Sequence, residues 1–190
     1  MSIHHQVELP ATPADVYDLL ADAAALSALS RMSGTAGHAA GEEFSAFNGH
    51  VTGRQVELIP GAMLVQAWRF PTWEPGKYTI VRFTLEAAEA AAVPESLVAT
   101  PDGSGTRSSM LGAAIETSLR IEQDAEPDGA DTLGCHPTWR DHLDAGWLMF
   151  YLTPLVRHFT QVASAKMTAA YEIEALANAA RPLAGTERHG

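Results

Sequence analysis

The chain has 190 residues, with 12 Lys plus Arg against 23 Asp plus Glu, a formal charge of -11 and one cysteine. At 46% hydrophobic and 18% charged residues it has the apolar content for one folded core and lies outside the disordered class. The excess negative charge, opposed by no local Lys/Arg cluster, argues against nucleic acid and anionic membranes as partners, and the lone Cys135 excludes an intrachain disulfide framework, which points to the reducing cytoplasm.

Residues 1–6 lack the basic-then-apolar order of a signal peptide, and the apolar run 145–156 is too short to span a bilayer and contains Pro154. Ile3, His5, Val7 and Leu9 alternate with His4, Gln6 and Glu8, the period of a half-buried strand that stops at Pro10. Thr12-Pro13-Ala14-Asp15 is a capping box with proline at the first helical position, and Val16, Leu19 and Leu20 then share a helix face. Leu26 and Leu29 continue as a second short helix, closed off by Gly34 and Gly37.

The period then changes to two. Asn48-Gly49 stands between two strand-like runs and predicts a hairpin, because both central residues of a tight turn must tolerate positive φ. Gly53 is expected to mark a bulge, and Val56, Leu58 and Ile59 lead into a second turn at Pro60-Gly61. Leu64, Gln66, Trp68 and Phe70 fall on one face of the next strand. After the turn-rich loop 71–76, Thr79, Val81, Phe83 and Leu85 alternate with Tyr78, Ile80, Arg82 and Thr84. Residues of about 87–116 break the rhythm and read as a mobile insertion. A strand returns at 117–123 with Leu119 and Ile121 facing in, followed by a polar turn over 124–134. Thr138-Trp139-Arg140-Asp141 is another capping box, after which Trp139, Leu143, Trp147, Phe150, Tyr151, Leu155 and Phe159 recur at helical spacing. Pro154 is expected to kink this main helix without ending it, residues 163–180 are helical by propensity, and a frayed tail begins at Arg181. The organisation is one domain over 1–160, with the insertion at about 87–116, and a helical extension and flexible tail over 161–190.

One strand, two short helices, a run of antiparallel strands and a long C-terminal helix is the order of an α+β helix-grip fold, a curved antiparallel sheet wrapped around its last helix. Phe44-Ser45-Ala46-Phe47-Asn48-Gly49-His50-Val51-Thr52-Gly53, Glu57-Leu58-Ile59-Pro60-Gly61, Trp68-Arg69-Phe70, Trp73, Pro75-Gly76, and Gly146-Trp147 with Tyr151 resemble the homologue family of the heat shock protein 90 ATPase activator. The resemblance covers roughly residues 7–159 apart from the insertion. It implies membership of the START-like (SRPBCC, Bet v 1-like) superfamily, whose members often hold apolar small molecules between sheet and helix. Eukaryotic relatives stimulate the chaperone's ATPase with an additional N-terminal domain, whereas this sequence begins directly with helix-grip residues.

On that reading Gln66, Trp68, Phe70, Phe83, Leu119, Trp147, Phe150 and Tyr151 converge as ligand-binding residues, with Trp68 and Trp147 on the walls of an oily hollow and Gln66 either its polar handle or, equally, a satisfied core or edge glutamine. The leading expectation is a non-catalytic domain that binds a hydrophobic or amphipathic small molecule. A co-chaperone acting on a heat shock protein 90 ATPase in the stress response is the second, and a cyclase- or hydrolase-type enzyme the third; a second copy of the chain is a further candidate partner. Arg69 is expected to stack on Trp73 and support the loop, with direct ligand contact as its alternative role, and Trp73 is alternatively an exposed protein contact. His136, His142 and His158 lack metal-ligand spacing and read as solvated helix-end residues, His4 and His5 as surface strand residues, and Cys135 beside His136 ensures no nucleophile-base geometry. Gly103-Ser104-Gly105 lacks the Lys-Ser/Thr ending of a phosphate loop, so neither ATP, another cofactor nor a metal is expected.

Overall fold

A computed structural model describes residues 2–88, 116–124 and 138–179. The expected insertion core, the Gly103-Ser104-Gly105 stretch, Cys135, His136, most of the 124–134 turn and the tail from Arg181 lie outside the described residues. The element order is β1 (Ile3–Leu9), α1 (Pro13–Ala21), α2 (Ala23–Leu29), β2 (Glu43–Ala46), β3 (Val51–Ile59), β4 (Met63–Arg69), β5 (Thr79–Ala87), β6 (Thr117–Gln123), then a helical rod made of α3 (Trp139–Gly146), a π turn (Trp147–Leu152) and α4 (Thr153–Ala179). The strands form one antiparallel sheet in the order β1-β6-β5-β4-β3-β2, so the first strand pairs with the last and β1 and β2 are the two edges. This is the helix-grip α+β fold.

Local chemistry sets the helix starts. Thr12 and Thr138 each accept the backbone N–H three residues on, Asp15 and Asp141, at 3.2 Å, and each hydroxyl donates to that aspartate's carboxylate. Asp22 does the same work for α2, accepting from Ala24 and Ala25 at 2.9 and 3.0 Å. Along the rod a stripe of buried residues at steps of four runs through Trp139, Leu143, Trp147, Tyr151, Leu155, Phe159 and Ala163, with Leu152 and Pro154 also buried beside it. In an α-helix of 3.6 residues per turn, each step of four overshoots a full turn by about 40°, so such a stripe would wind off the sheet. The π turn takes more residues per turn and turns the stripe back; the Thr153 N–H bonds the Leu148 carbonyl, five residues away. The irregularity therefore precedes Pro154 instead of being a kink at it. On the same turn the Phe150 carbonyl accepts a weak 3.5 Å bond from Ser30 Oγ at the end of α2.

The hairpin forms at Asn48-Gly49 as expected, with a longer loop than a tight two-residue turn, and the bulge is displaced from Gly53. The β2–β3 loop has four residues, Phe47 to His50, because Ala46 pairs with Val51 and positive φ extends over Phe47 (53°), Asn48 (58°) and Gly49 (79°). A phenylalanine in the left-handed region costs about 1–3 kcal/mol. The cost is met because its ring is buried and its N–H donates to the buried Ser27 Oγ at 3.0 Å, while Asn48 Oδ1 accepts from the Ser33 backbone and hydroxyl at 2.8 and 3.0 Å. The bulge lies not at Gly53 but between Gln55 and Glu57, where Val56 is the unpaired extra residue and turns outward. Gly53 serves close approach instead. A Cβ there would stand 2.4 Å from the Ala67 carbonyl oxygen and 2.6 Å from the Phe44 ring, which crosses the strand at this point. Gly53→Ala is expected to lose ~1–3 kcal/mol of unfolding free energy in urea titration through forced displacement of β4 or Phe44; an unchanged midpoint and slope would show that the ring is not seated there.

Candidate functional site

The site begins with a hydrogen-bond chain inside the sheet. Gln55 on β3 and Gln66 on β4 are paired across the strands and both are buried. The Trp68 indole N–H, a donor only, bonds Gln66 Oε1 at 2.7 Å; Gln66 must therefore turn its amide NH2 to Gln55 Oε1 at 3.1 Å, and Gln55 passes its own NH2 to the Gly37 carbonyl at 3.0 Å. The orientation of three side chains is thus fixed by one indole. Gln66 is a satisfied core residue that anchors Trp68, not a free polar handle.

Trp68 so held is the platform on which the π turn lands. Its ring stacks on Trp147 (centroids 4.9 Å, planes 24° apart) and on Tyr151 (5.2 Å, 28°), and Phe83 meets Trp147 edge-on at 5.8 Å. Trp147 is pinned from the far side by its own N–H bond to Gln123 Oε1 at 2.8 Å. Much of the space expected to be hollow is therefore filled by rings. What remains is a cavity of about 220 Å³ beside the stack. Trp68, Phe70, Trp147, Phe150 and Tyr151 line it; Gln66, Phe83 and Leu119 do not, and lie buried in the core away from it. Phe47, His50 and Val51 close one side from the β2–β3 turn, and His142, Leu143 and Gly146 close another from α3. These six were not among the residues picked from the sequence. The unbroken step of four from Trp139 through Leu143 and Trp147 to Tyr151 was the available signal for the α3 side, whereas nothing in Phe47-Asn48-Gly49-His50 announces that a turn phenylalanine points inward.

Charge and polarity around the cavity are sparse. Burial pushes the Tyr151 phenol well above its ordinary value, so it stays neutral. His142 is half-buried, its ring 6.1 Å from Phe70 and 5.1 Å from Trp139, which corrects its reading as a solvated helix-end residue. His158 is likewise half-buried, 5.0 Å from Phe159. His5 faces the rod, with Nε2 3.1 Å from Asp144 Oδ1, while His4 is exposed. Among the described residues no group of three His, Cys, Asp or Glu is placed to hold a metal. Trp73 is 5% exposed, 5.0 Å from Phe70 and 5.6 Å from Trp139, so the structure overturns its reading as an exposed contact. Arg69 does support the loop, but by donating to the Trp73 carbonyl at 2.8 Å.

Fold and site together define a helix-grip domain with a small aromatic-walled cavity between β4 and the C-terminal rod. The family model described as "Activator of Hsp90 ATPase homolog 1-like protein" matches residues 10–110, more than half of the chain, and the chain belongs to that family. Among solved structures, an HSP90 activator from Plasmodium falciparum is 19% identical with a TM-score of 0.60, covering 80% of this chain and 91% of its own. The Aha1 dimer from Colwellia psychrerythraea is 18% identical with a TM-score of 0.55, covering 82% and 93%. DynU16, from the dynemicin biosynthetic locus, is 18% identical with a TM-score of 0.53, covering 83% of this chain and 46% of its own. At these identities the likeness shows the fold alone. No curated protein sequence matches the chain significantly. No helix among the described residues is long and apolar enough to cross a membrane.

Because Tyr151 ionises near pH 10 when unfolded and only well above that when folded, the native state retains a proton that the unfolded state loses. The contribution of this group to stability is expected to be constant below about pH 10 and to fall as pH rises beyond it. Alkaline titration of tyrosinate absorbance should show this residue ionising only with unfolding, and Tyr151→Phe should flatten the alkaline decline. Early, reversible titration of every tyrosine in the folded protein would contradict the burial.

Proposed function

We propose that this protein is a non-catalytic binding domain that holds one small apolar or amphipathic molecule, of one or two rings, in the cavity between β4 and the π turn. The observation that carries the reading is the lining: about 220 Å³ enclosed chiefly by Trp68, Phe70, Trp147, Phe150, Phe47 and Val51, with two imidazoles as its polar fringe. That volume exceeds the ~150 Å³ in which an apolar void takes up benzene and falls below the ~300–1,000 Å³ of usual ligand pockets, which argues for a compact guest. Of the eight residues picked from the sequence, Trp68, Phe70, Trp147, Phe150 and Tyr151 touch the guest in this proposal, Gln66 and Phe83 hold the rings that do, and Leu119 belongs to the core alone. The lone cysteine, which leaves no pair for an intrachain disulfide, favours a cytoplasmic setting.

A second reading, action on a heat shock protein 90 chaperone or pairing with a second copy, is favoured by the outward face of the rod. Leu148 and Met149, on the outward side of the π turn itself, are 51% and 64% exposed. The fold likeness to an HSP90 activator and to an Aha1 dimer gives it its specific form.

Gly146 separates the two readings. A Cβ added there meets nothing within 4 Å, and the residue lines the cavity, so Gly146→Leu fills the void while improving helix propensity. Wild type is expected to gain thermal stability with indole or naphthalene and to carry a bound apolar species in native mass spectrometry. Gly146→Leu should melt higher than wild type and show neither effect. No uptake by wild type, together with acceleration of a heat shock protein 90 homologue's ATPase that Met149→Lys abolishes, would replace the first reading with the second.

A further inference from the structure

The other face of the sheet carries a second hollow, opposite in chemistry to the first. It is an open groove of about 310 Å³ over β2, β3 and β4. Cross-strand register places four polar residues of its lining in one row: Thr35 bridges Ser45, Ser45 pairs with Thr52, and Thr52 pairs with Arg69. The exposed Tyr78 closes the end beyond Arg69. Three hydroxyls thus lead across the strands to a guanidinium.

The charges do not balance within the groove. Arg54, in the next row, is committed to Glu43 at 2.6 Å and to the Gly41 carbonyl at 3.1 Å, so that pair contributes no net charge. Arg69 makes no ion pair among the described residues. One of its five N–H donors serves the Trp73 carbonyl, and its Nε is buried without a partner, so an incoming anion would meet the remaining Nη donors. An uncompensated cation inside a hollow is unusual for a chain with a net charge of -11. The hydroxyls add donors: Thr35 Oγ1 and Ser45 Oγ are 3.0 Å apart and share one proton between them, which leaves the other free to point outward. Thr52 spends its own proton on the Arg69 carbonyl at 3.3 Å and serves as the floor.

We infer that this groove is a binding site for a small oxyanion, the carboxylate or phosphate group of a small molecule, held by the Arg69 guanidinium with the Thr35–Ser45 hydroxyl pair. The planar guanidinium fork matches both groups, and the neighbouring Glu43 is neutralised by Arg54, so it does not repel them. The site lies on the opposite face of β4 from the cavity and does not depend on the function proposed for it.

Backbone amide NMR of the full chain, titrated at constant ionic strength with sodium acetate and separately with inorganic phosphate, tests this. Saturable shifts centred on Ser45, Thr52, Arg69 and Tyr78 are expected with at least one anion, and the anion that saturates identifies the group. Arg69→Gln should weaken binding by at least about tenfold. Since that variant also loses the loop bond, Ser45→Ala, which keeps it, should weaken binding as well with the Trp73 environment unchanged in tryptophan fluorescence. Non-saturating shifts with both anions, or equal affinity in wild type and both variants, would overturn the site.

Discussion

The position of the Trp68 indole is the constraint on which the rest of this structure depends. An indole N–H can only donate, and burying it without an acceptor costs about 1–3 kcal/mol. Gln66, Gln55 and the Gly37 carbonyl meet that demand in a single direction, which ties β4 to β3 and to the loop before β2. The ring is then a fixed surface. Trp147 and Tyr151 stack on it from above, so the sheet dictates where the helix lies and at what rotation.

The helix answers with a local departure from α geometry. Seven buried residues at steps of four need a rod that turns more slowly than an α-helix, and the π turn supplies that change where the aromatic residues are densest. Gly146 before it and Pro154 after it remove, respectively, a side chain and a hydrogen-bond donor. Packing around this turn leaves one side unfilled, since Phe47 comes in from a strained loop and Phe150 tilts against it at 5.4 Å without closing the gap. Cavity and π turn are thus two results of one fit.

Much of this was legible in the sequence because it is local. Period-two alternation fixed the faces of β1, β4, β5 and β6, and Thr12 and Thr138 marked two helix starts through their capping boxes. The face of β4 and the helical stripe correctly placed Trp68 opposite Trp147. The remainder depends on distant partners. Gly53 reads as a bulge until the Phe44 ring is seen across it, and Trp73 reads as exposed until the loop folds it between Phe70 and Trp139. Whether facing aromatic residues fill a space or line it is a matter of a few ångströms, which periodicity does not carry.

The sheet thus presents opposite chemistries on its two faces: rings around a small apolar cavity on one, and hydroxyls beside an arginine without an ion pair on the other. The most direct test of the central account is a crystal of the protein pressurised with xenon. Density is predicted at one place, bounded by Phe47, Phe70, Phe150 and the face of Trp147, with the Trp68 and Trp147 rings stacked beside it. Rings collapsed into that space with no xenon between them, or xenon lodged between the two indoles, would contradict it.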